Sequence, residues 1–197
     1  MPKRSDAYME TRRRQIVDAA LNCIVTQGWN RTTIEDVCAA AGLSKGAIYV
    51  HFANKRALLF GLLERNFEDI EAAASIDTFD KLRAWVTADY ETLAGPNSWR
   101  IIAGSQEAVV EGVRDPEIRT MFGCAYTRLV EILTEVVGRM RPDLPTATVK
   151  THVLTLVLLN DGMRAYRTVS DGLSKAAMRA VIDQALLPLN PANKSKR

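Results

Sequence analysis

The sequence predicts an all-α protein of about nine helices, and three observations carry that prediction. Apolar residues recur at i, i+3, i+4 and i+7 along most of the chain, the spacing of a helix with one buried face. No segment keeps the period-2 alternation of a half-buried strand. Capping residues and Gly or Pro stops fall where the periodic runs begin and end. Three helices make a small N-terminal head, residues 1–55. Six more make a larger body, residues 56–197.

In the head, Arg12-Arg13-Arg14 opens the first helix. Thr32 followed by Glu35 reads as a capping box, which satisfies two amides at the start of the second. The apolar side of that helix carries Ile34, Val37, Cys38 and Ala41. Gly42 stops it, because the residue past a helix often needs positive φ. Ser44 caps the third helix, which places Ile48 and Phe52 inward. Two helices joined by a tight Gly-containing turn form a helix-turn-helix.

In the body, Asn54 caps a helix from Lys55 to about Ala74, with Leu58, Leu59, Leu62, Leu63, Phe67 and Ile70 as its stripe. Asp77 caps the next, through Leu82, Trp85, Val86 and Tyr90, to a stop at Gly95-Pro96. Asn97 or Ser98 starts another, from Trp99 to Val113. Asp115-Pro116, an N-cap with proline at the first helical position, opens a long helix to about Arg139. A Pro-rich loop at residues 141–145 follows, then a helix from Thr146 or Thr148 to Val169. Ser174 opens the last, to about Leu187. The run from Val153 to Leu159 is apolar nearly all round, so its helix must be covered on two sides. The last helix has small residues, Ala176, Ala177, Ala180 and Ala185, suited to close approach. Two such helices from each of two subunits would build a four-helix homodimer interface.

The chemistry of the third helix points to nucleic acid. Lys45, Gly46 and Ala47 open it with almost no side-chain bulk, so backbone can approach a ligand closely. Amides at a helix start favour phosphate, and Lys45 adds a cation. Tyr49 and His51 add donors. Lys55 stands in the first turn of the next helix, where a cation opposes the dipole unless an anion lies nearby. The DNA-facing set is therefore Arg14, Thr33, Ser44, Lys45, Gly46, Ala47, Tyr49, His51 and Lys55. Charge divides the same way. Residues 1–55 hold eight Lys or Arg against five Asp or Glu, whereas residues 56–197 hold eighteen of each. A basic head on a neutral body fits a protein whose head alone meets phosphate.

Residues 11–60 resemble the N-terminal domain of the TetR/AcrR family of bacterial transcriptional regulators. The resemblance rests on Arg14 to Ala20, Gly28-Trp29, Thr32 to Val37, Ala41 to Tyr49 and His51 to Lys55. Val50 departs from the aromatic, polar or basic residue common between the tyrosine and histidine, which bears on one DNA contact. The resemblance implies an all-helical fold, a homodimer through the last two helices, a double-stranded operator and a small-molecule effector held among the middle helices. A two-fold dimer reads a near-palindrome. Candidate effector contacts are polar or aromatic groups on apolar faces: Trp99, Gln106, Val110, Phe122, Tyr126, His152, Leu156, Asn160 and Met163. The same stripes also read as ordinary core with a satisfied polar group. An effector that prefers one tilt of the helix from Lys55 would change the separation of the recognition helices, whose half-sites lie about 34 Å apart.

Other classes find little support. The two histidines have no neighbouring nucleophile and carboxylate, and no phosphate-binding glycine motif or zinc spacing occurs. An enzyme in the body, or a DNA-binding regulator without an effector, remain the alternatives. No cofactor or metal is expected. No apolar run reaches the roughly 18 residues of a membrane span, no secretory signal opens the chain, and a cytoplasmic location follows. Cys23, Cys38 and Cys124 sit among apolar residues and read as reduced core thiols.

Overall fold

The computed structural model describes residues 6–93, 106–107, 109–110, 112–170 and 174–193. Among them are eight α-helices and no strand. They are α1 (Asp6–Gln27), α2 (Ile34–Ala41), α3 (Lys45–Tyr49), α4 (Lys55–Ala72), α5 (Phe79–Leu93), α6 (Pro116–Met140), α7 (Thr146–Val169) and α8 (Lys175–Leu186). The expected helix from Asn97 or Ser98 to Val113 lies mostly outside the described residues. Gln106, Glu107, Val109, Val110 and Gly112 are helical.

The chain forms two compact units, Met1–Asn66 with Ala103–Met121, and Phe67–Ile102 with Phe122–Arg197. Each has its own core. In the first, Ile16, Val17, Ala20, Ile34, Val37, Ile48, Phe52 and Leu58 are buried together. In the second, Ile70, Leu82 and Val86 pack with Ile132, Leu133, Val136 and Val137 of α6, Val149, Val153 and Leu156 of α7, and Met178, Ile182 and Leu186 of α8. Every residue of the apolar stripe expected in α4 is buried or packs on one of these cores.

Several helix starts follow the sequence, and others shift by a residue or more. Ser44 and Ser174 each accept a hydrogen bond from the amide three residues on. Asn54 does the same for Ala57 at 2.8 Å. Asp115 accepts from the amides of Glu117 and Ile118, with Pro116 at the first helical position. α1 is already helical at Asp6, ahead of Arg12-Arg13-Arg14, and Arg12 and Arg14 each pair back by one turn, to Tyr8 and Glu10. α5 is capped by Thr78, whose hydroxyl accepts from Lys81, while Asp77 is drawn to the Lys81 ammonium instead. Cys23 and Cys38 are half-buried and pack against the first core, as expected, whereas Cys124 is exposed.

In the second unit, Arg141 is buried and ties the loop after α6 to the end of the chain. It pairs with Asp143 and donates to the carbonyls of Pro188 and Asn190. Arg83 of α5 grips Asp183 of α8 through two bonds of 2.8 Å. A groove of about 500 Å³ lies beside that pair, lined by residues including Phe79, Asp80, Leu186 and Pro191. α7 leaves Leu158 68% and Val169 82% exposed, so no described residue covers its outer side there. Among the described residues no helix is long and apolar enough to cross a membrane.

Gly61 of α4 faces the Phe52 ring at close range. A Cβ there would stand 2.6 Å from the Phe52 ring, and Phe52 is buried at 1% exposure. Gly61→Val is expected to destabilise the protein by about 1–3 kcal/mol through overpacking, read as a lower urea midpoint. An unchanged midpoint would mean that the ring is free to shift.

Candidate nucleic-acid interface

The recognition surface is built from α2, a turn and α3. The capping box at the start of α2 is Thr33 with Asp36, one residue later than Thr32 with Glu35. Two overlapping boxes exist in the sequence, and the preceding turn chooses between them. Gly28 takes φ +85°, the chain folds back, and the Thr32 hydroxyl turns inward to donate to the Gly28 carbonyl at 2.8 Å. That leaves Thr33 in extended conformation to cap the helix. Its amide and hydroxyl both donate to Asp36 Oδ2, and its hydroxyl accepts from the Asp36 amide.

Two glutamines of α1 then clamp α2 at both ends. Gln27 Nε2 donates to Asp36 Oδ2 at 2.8 Å, and Gln15 Nε2 donates to the Ala41 carbonyl at 2.8 Å. Composition and periodicity gave no signal for either, because only the fold brings α1 alongside the ends of α2. Gly42 follows in the left-handed region, φ +64°. The Leu43 amide bonds back to Cys38 O at 3.0 Å and the Gly42 amide to Ala39 O. This is the glycine stop expected from the sequence.

α3 runs for only five residues. Ile48 is wholly buried, as is Phe52 just beyond, and both belong to the core of the first unit. Lys45, Gly46, Tyr49 and Val50 are exposed on the opposite side, Tyr49 44% and Val50 62%. Ser44 is exposed at the cap, with Ala47 and His51 half-buried at the margins. The Lys45 ammonium pairs with Glu35 of α2 and lies 6.0 Å from the Tyr49 ring centre. The hydrogen bond between them pushes the lysine up and the glutamate down from their ordinary ranges.

The remaining cations divide. Arg14 is exposed and reaches Glu10 at 2.9 Å. Lys55, instead of facing outward, donates to the Trp29 carbonyl at 2.6 Å and sits 4.5 Å above the Trp29 ring. The same buried tryptophan anchors the loop that positions Thr33. Lys55 and Trp29 therefore fix the edge of the recognition surface. Arg13 pairs with Glu64 and covers the Phe52 ring.

Of the expected effector contacts, Trp99 lies outside the described residues. Gln106 and Val110 are exposed in the first unit. In the second, Leu156 and Met163 are core. Phe122, His152 and Asn160 are half-buried. Asn160 accepts from Arg164 at 2.9 Å. Tyr126 is 45% exposed, and its phenol bonds to Asp161 and is pushed up to about 12, first by partial desolvation and then by that carboxylate. The groove near Arg83 contains none of these residues. Among the described residues no cluster of His, Cys, Asp and Glu could hold a metal ion.

Residues 16–62, which span the clamped helix pair and its glycine stop, match the family model for bacterial regulatory proteins of the tetR family. The chain is 29% identical over 189 residues to an HTH-type transcriptional repressor of Mycobacterium tuberculosis, covering 93% of this chain and 95% of that one. Residues 16–62 are thus those of a TetR-family domain. The fold agrees along nearly the whole length. A TetR-family transcriptional regulator from Pectobacterium atrosepticum superposes with a TM-score of 0.63 at 23% identity, over 95% of this chain and 98% of that one. A regulator from Saccharomonospora viridis, solved in complex with choline, gives 0.67 at 20% identity, over 88% of this chain and 94% of that one.

The Asp36 carboxyl is held below its ordinary range, first by the Thr33 amide, then by the Thr33 hydroxyl and Gln27. A carboxylate lowered in the folded state stabilises above its unfolded pKa, and that stability is lost as pH falls through the folded value. Asp36→Asn is therefore expected to make the acid limb of the stability–pH curve shallower than in the wild type. An identical acid limb would show that the carboxylate charge does not support the cap. Thr33→Ala removes the cap oxygen and is expected to cost about 1 kcal/mol, measured by urea unfolding.

Proposed function

We propose that the protein is a ligand-responsive transcriptional repressor of the cytoplasm, which binds a near-palindromic operator as a homodimer. The reading gives DNA binding to residues 1–55, and effector binding and dimerisation to residues 56–197. The observation that carries it is the exposed face of α3. Lys45, Gly46 and Tyr49 project from a helix whose other side is locked in the core. A small-residue helix start fits the major groove closely, with Lys45 on phosphate and Tyr49 on a base edge or the backbone. Arg14, Thr33, Ser44, Ala47 and His51 border the same contact, and Lys55 acts by holding its edge.

Dimerisation is supported by α7. Leu154, Leu158 and Val169 stand exposed at helical spacing, with Val181 exposed on α8. A partner's matching helices would cover them and set two recognition helices on one face of the duplex. The effector is proposed to be a small, moderately apolar molecule bound in the second unit near Phe122, Tyr126, His152 and Asn160. Tyr126 and Asn160 offer polar groups beside apolar surface, as small-molecule sites do. Effector binding shifts α4 and weakens operator binding by roughly fivefold to 150-fold, the usual range of coupling.

Selection of operator duplexes from a random pool by the purified protein, followed by fluorescence anisotropy, tests the reading. A palindromic consensus is expected. Lys45→Ala should weaken its binding and reduce the salt slope by about one, and Tyr49→Ala should weaken it by about tenfold or more. Leu158→Glu should give a monomer in light scattering and lose the palindromic duplex. A pool that yields no consensus would overturn the reading.

A further inference from the structure

We infer that Val50 is a specificity-determining residue, which reads the 5-methyl group of one thymine in each half-site of the operator. The inference rests on the operator-binding reading above. Its basis is the middle of the outer face of α3. Ile48 and Phe52 are 0% and 1% exposed and set the inner side, the Phe52 amide bonding to the Ile48 carbonyl at 2.9 Å. At about 100° per residue the side directly opposite belongs to Gly46 and Val50. These two are also one turn apart, the Val50 amide donating to the Gly46 carbonyl at 3.3 Å. Lys45 and Tyr49 share a flank, with the ammonium paired to Glu35 and 6.0 Å from the ring. Val50 is 62% exposed, more than any other large hydrophobic residue described in the first unit. A Cβ at Gly46 would meet no described atom within 4 Å. The protein's own packing therefore accounts for neither residue.

A glycine within a helix weakens it, and one that internal packing does not require suits a backbone approached closely from outside. With Gly46 bare, α3 can come near the base edges, and the Val50 isopropyl group meets them one turn on. In the major groove those edges present hydrogen-bond donors and acceptors, and the thymine methyl is the apolar group among them. Set against a donor or acceptor, the isopropyl group expels water and returns no hydrogen bond, so the base atom is left unsatisfied. Set against thymine, it buries two apolar surfaces together. The preference belongs to the base edge and changes with sequence, unlike a phosphate contact, which carries no sequence information.

The test starts from the duplex that the wild-type protein selects from a random pool. Its thymines are replaced by deoxyuridine, one symmetry-related pair at a time, which removes the methyl group and leaves base pairing intact. Binding of each duplex is measured by anisotropy for wild type and for Val50→Ser, a substitution outside both cores. At one thymine pair the wild type is expected to bind about fourfold more weakly for each methyl lost. Val50→Ser should bind the thymine and deoxyuridine duplexes equally at that pair. Wild-type binding that is indifferent to every thymine methyl would overturn the inference. So would methyl effects that all survive in Val50→Ser, since another side chain would then make the contact. A pool that yields no consensus would instead overturn the operator-binding reading.

Discussion

A five-residue helix does not hold itself in water, because nucleation costs more than so few hydrogen bonds return. α3 exists because Ile48 and Phe52 are buried against Ile16, Val17, Val37 and Leu58. Full burial of one such side chain contributes roughly 1.5–3 kcal/mol, and two of them anchor fewer than two turns. Everything on the outer face depends on that burial. The positions of Lys45 and Tyr49 are set by what lies behind them, and Gly61 leaves the Phe52 ring the room it needs. Core packing and presentation of the recognition face are the same property in this unit.

Hydrogen bonds finish what packing begins. α2 would be free to slide along its apolar stripe, which fixes its face more firmly than its register. Gln15 and Gln27 remove that freedom by bonding its last carbonyl and its capping carboxylate. Asp36 Oδ2 accepts from three donors at once, two of them on Thr33. A carboxylate so occupied serves geometry rather than surface charge. The same holds for several cations. Arg13 covers Phe52, and Lys55 closes the Trp29 loop. The excess positive charge of residues 1–55 is thus larger in the sequence than on the surface that α3 presents, where Lys45 is matched by Glu35.

Helix number, helix faces and most stops were legible in the sequence because each depends on neighbours within a turn or two. Ile34, Val37 and Ala41 point inward as their spacing requires, and Gly42 stops the helix as a left-handed residue. The capping box was legible in kind and displaced by one residue, since Thr32-Thr33 and Glu35-Asp36 offer two boxes of equal local merit. Only the turn at Gly28 distinguishes them. The tether of Lys55 and both glutamine clamps span more than one element in sequence, where periodicity carries no information. The effector contacts were the least legible. Leu156 and Met163 share their stripe with His152 and Asn160, yet the first two are core while the polar pair is half-buried. A stripe shows which residues turn inward, and cannot show which of them border a cavity.

Residues 106–121 show how far a chain boundary can differ from a packing boundary. Sequence composition assigns everything after Lys55 to the body, but Ala103–Met121 packs in the same unit as the helix-turn-helix. Glu107 lies against Gly28 and accepts weakly from the Asn30 amide. Arg56, next to Lys55, reaches both Asp115 and Glu117. That guanidinium holds the Asp115 carboxyl down at about 2, while the same carboxyl caps α6. One charged group therefore joins the first turn of α4 to the first turn of α6. Both helices continue into the second unit, α4 past Asn66 and α6 past Met121. Sequence reasoning found one such helix. The Arg56 pairs make it two, and they bring both to the same turn.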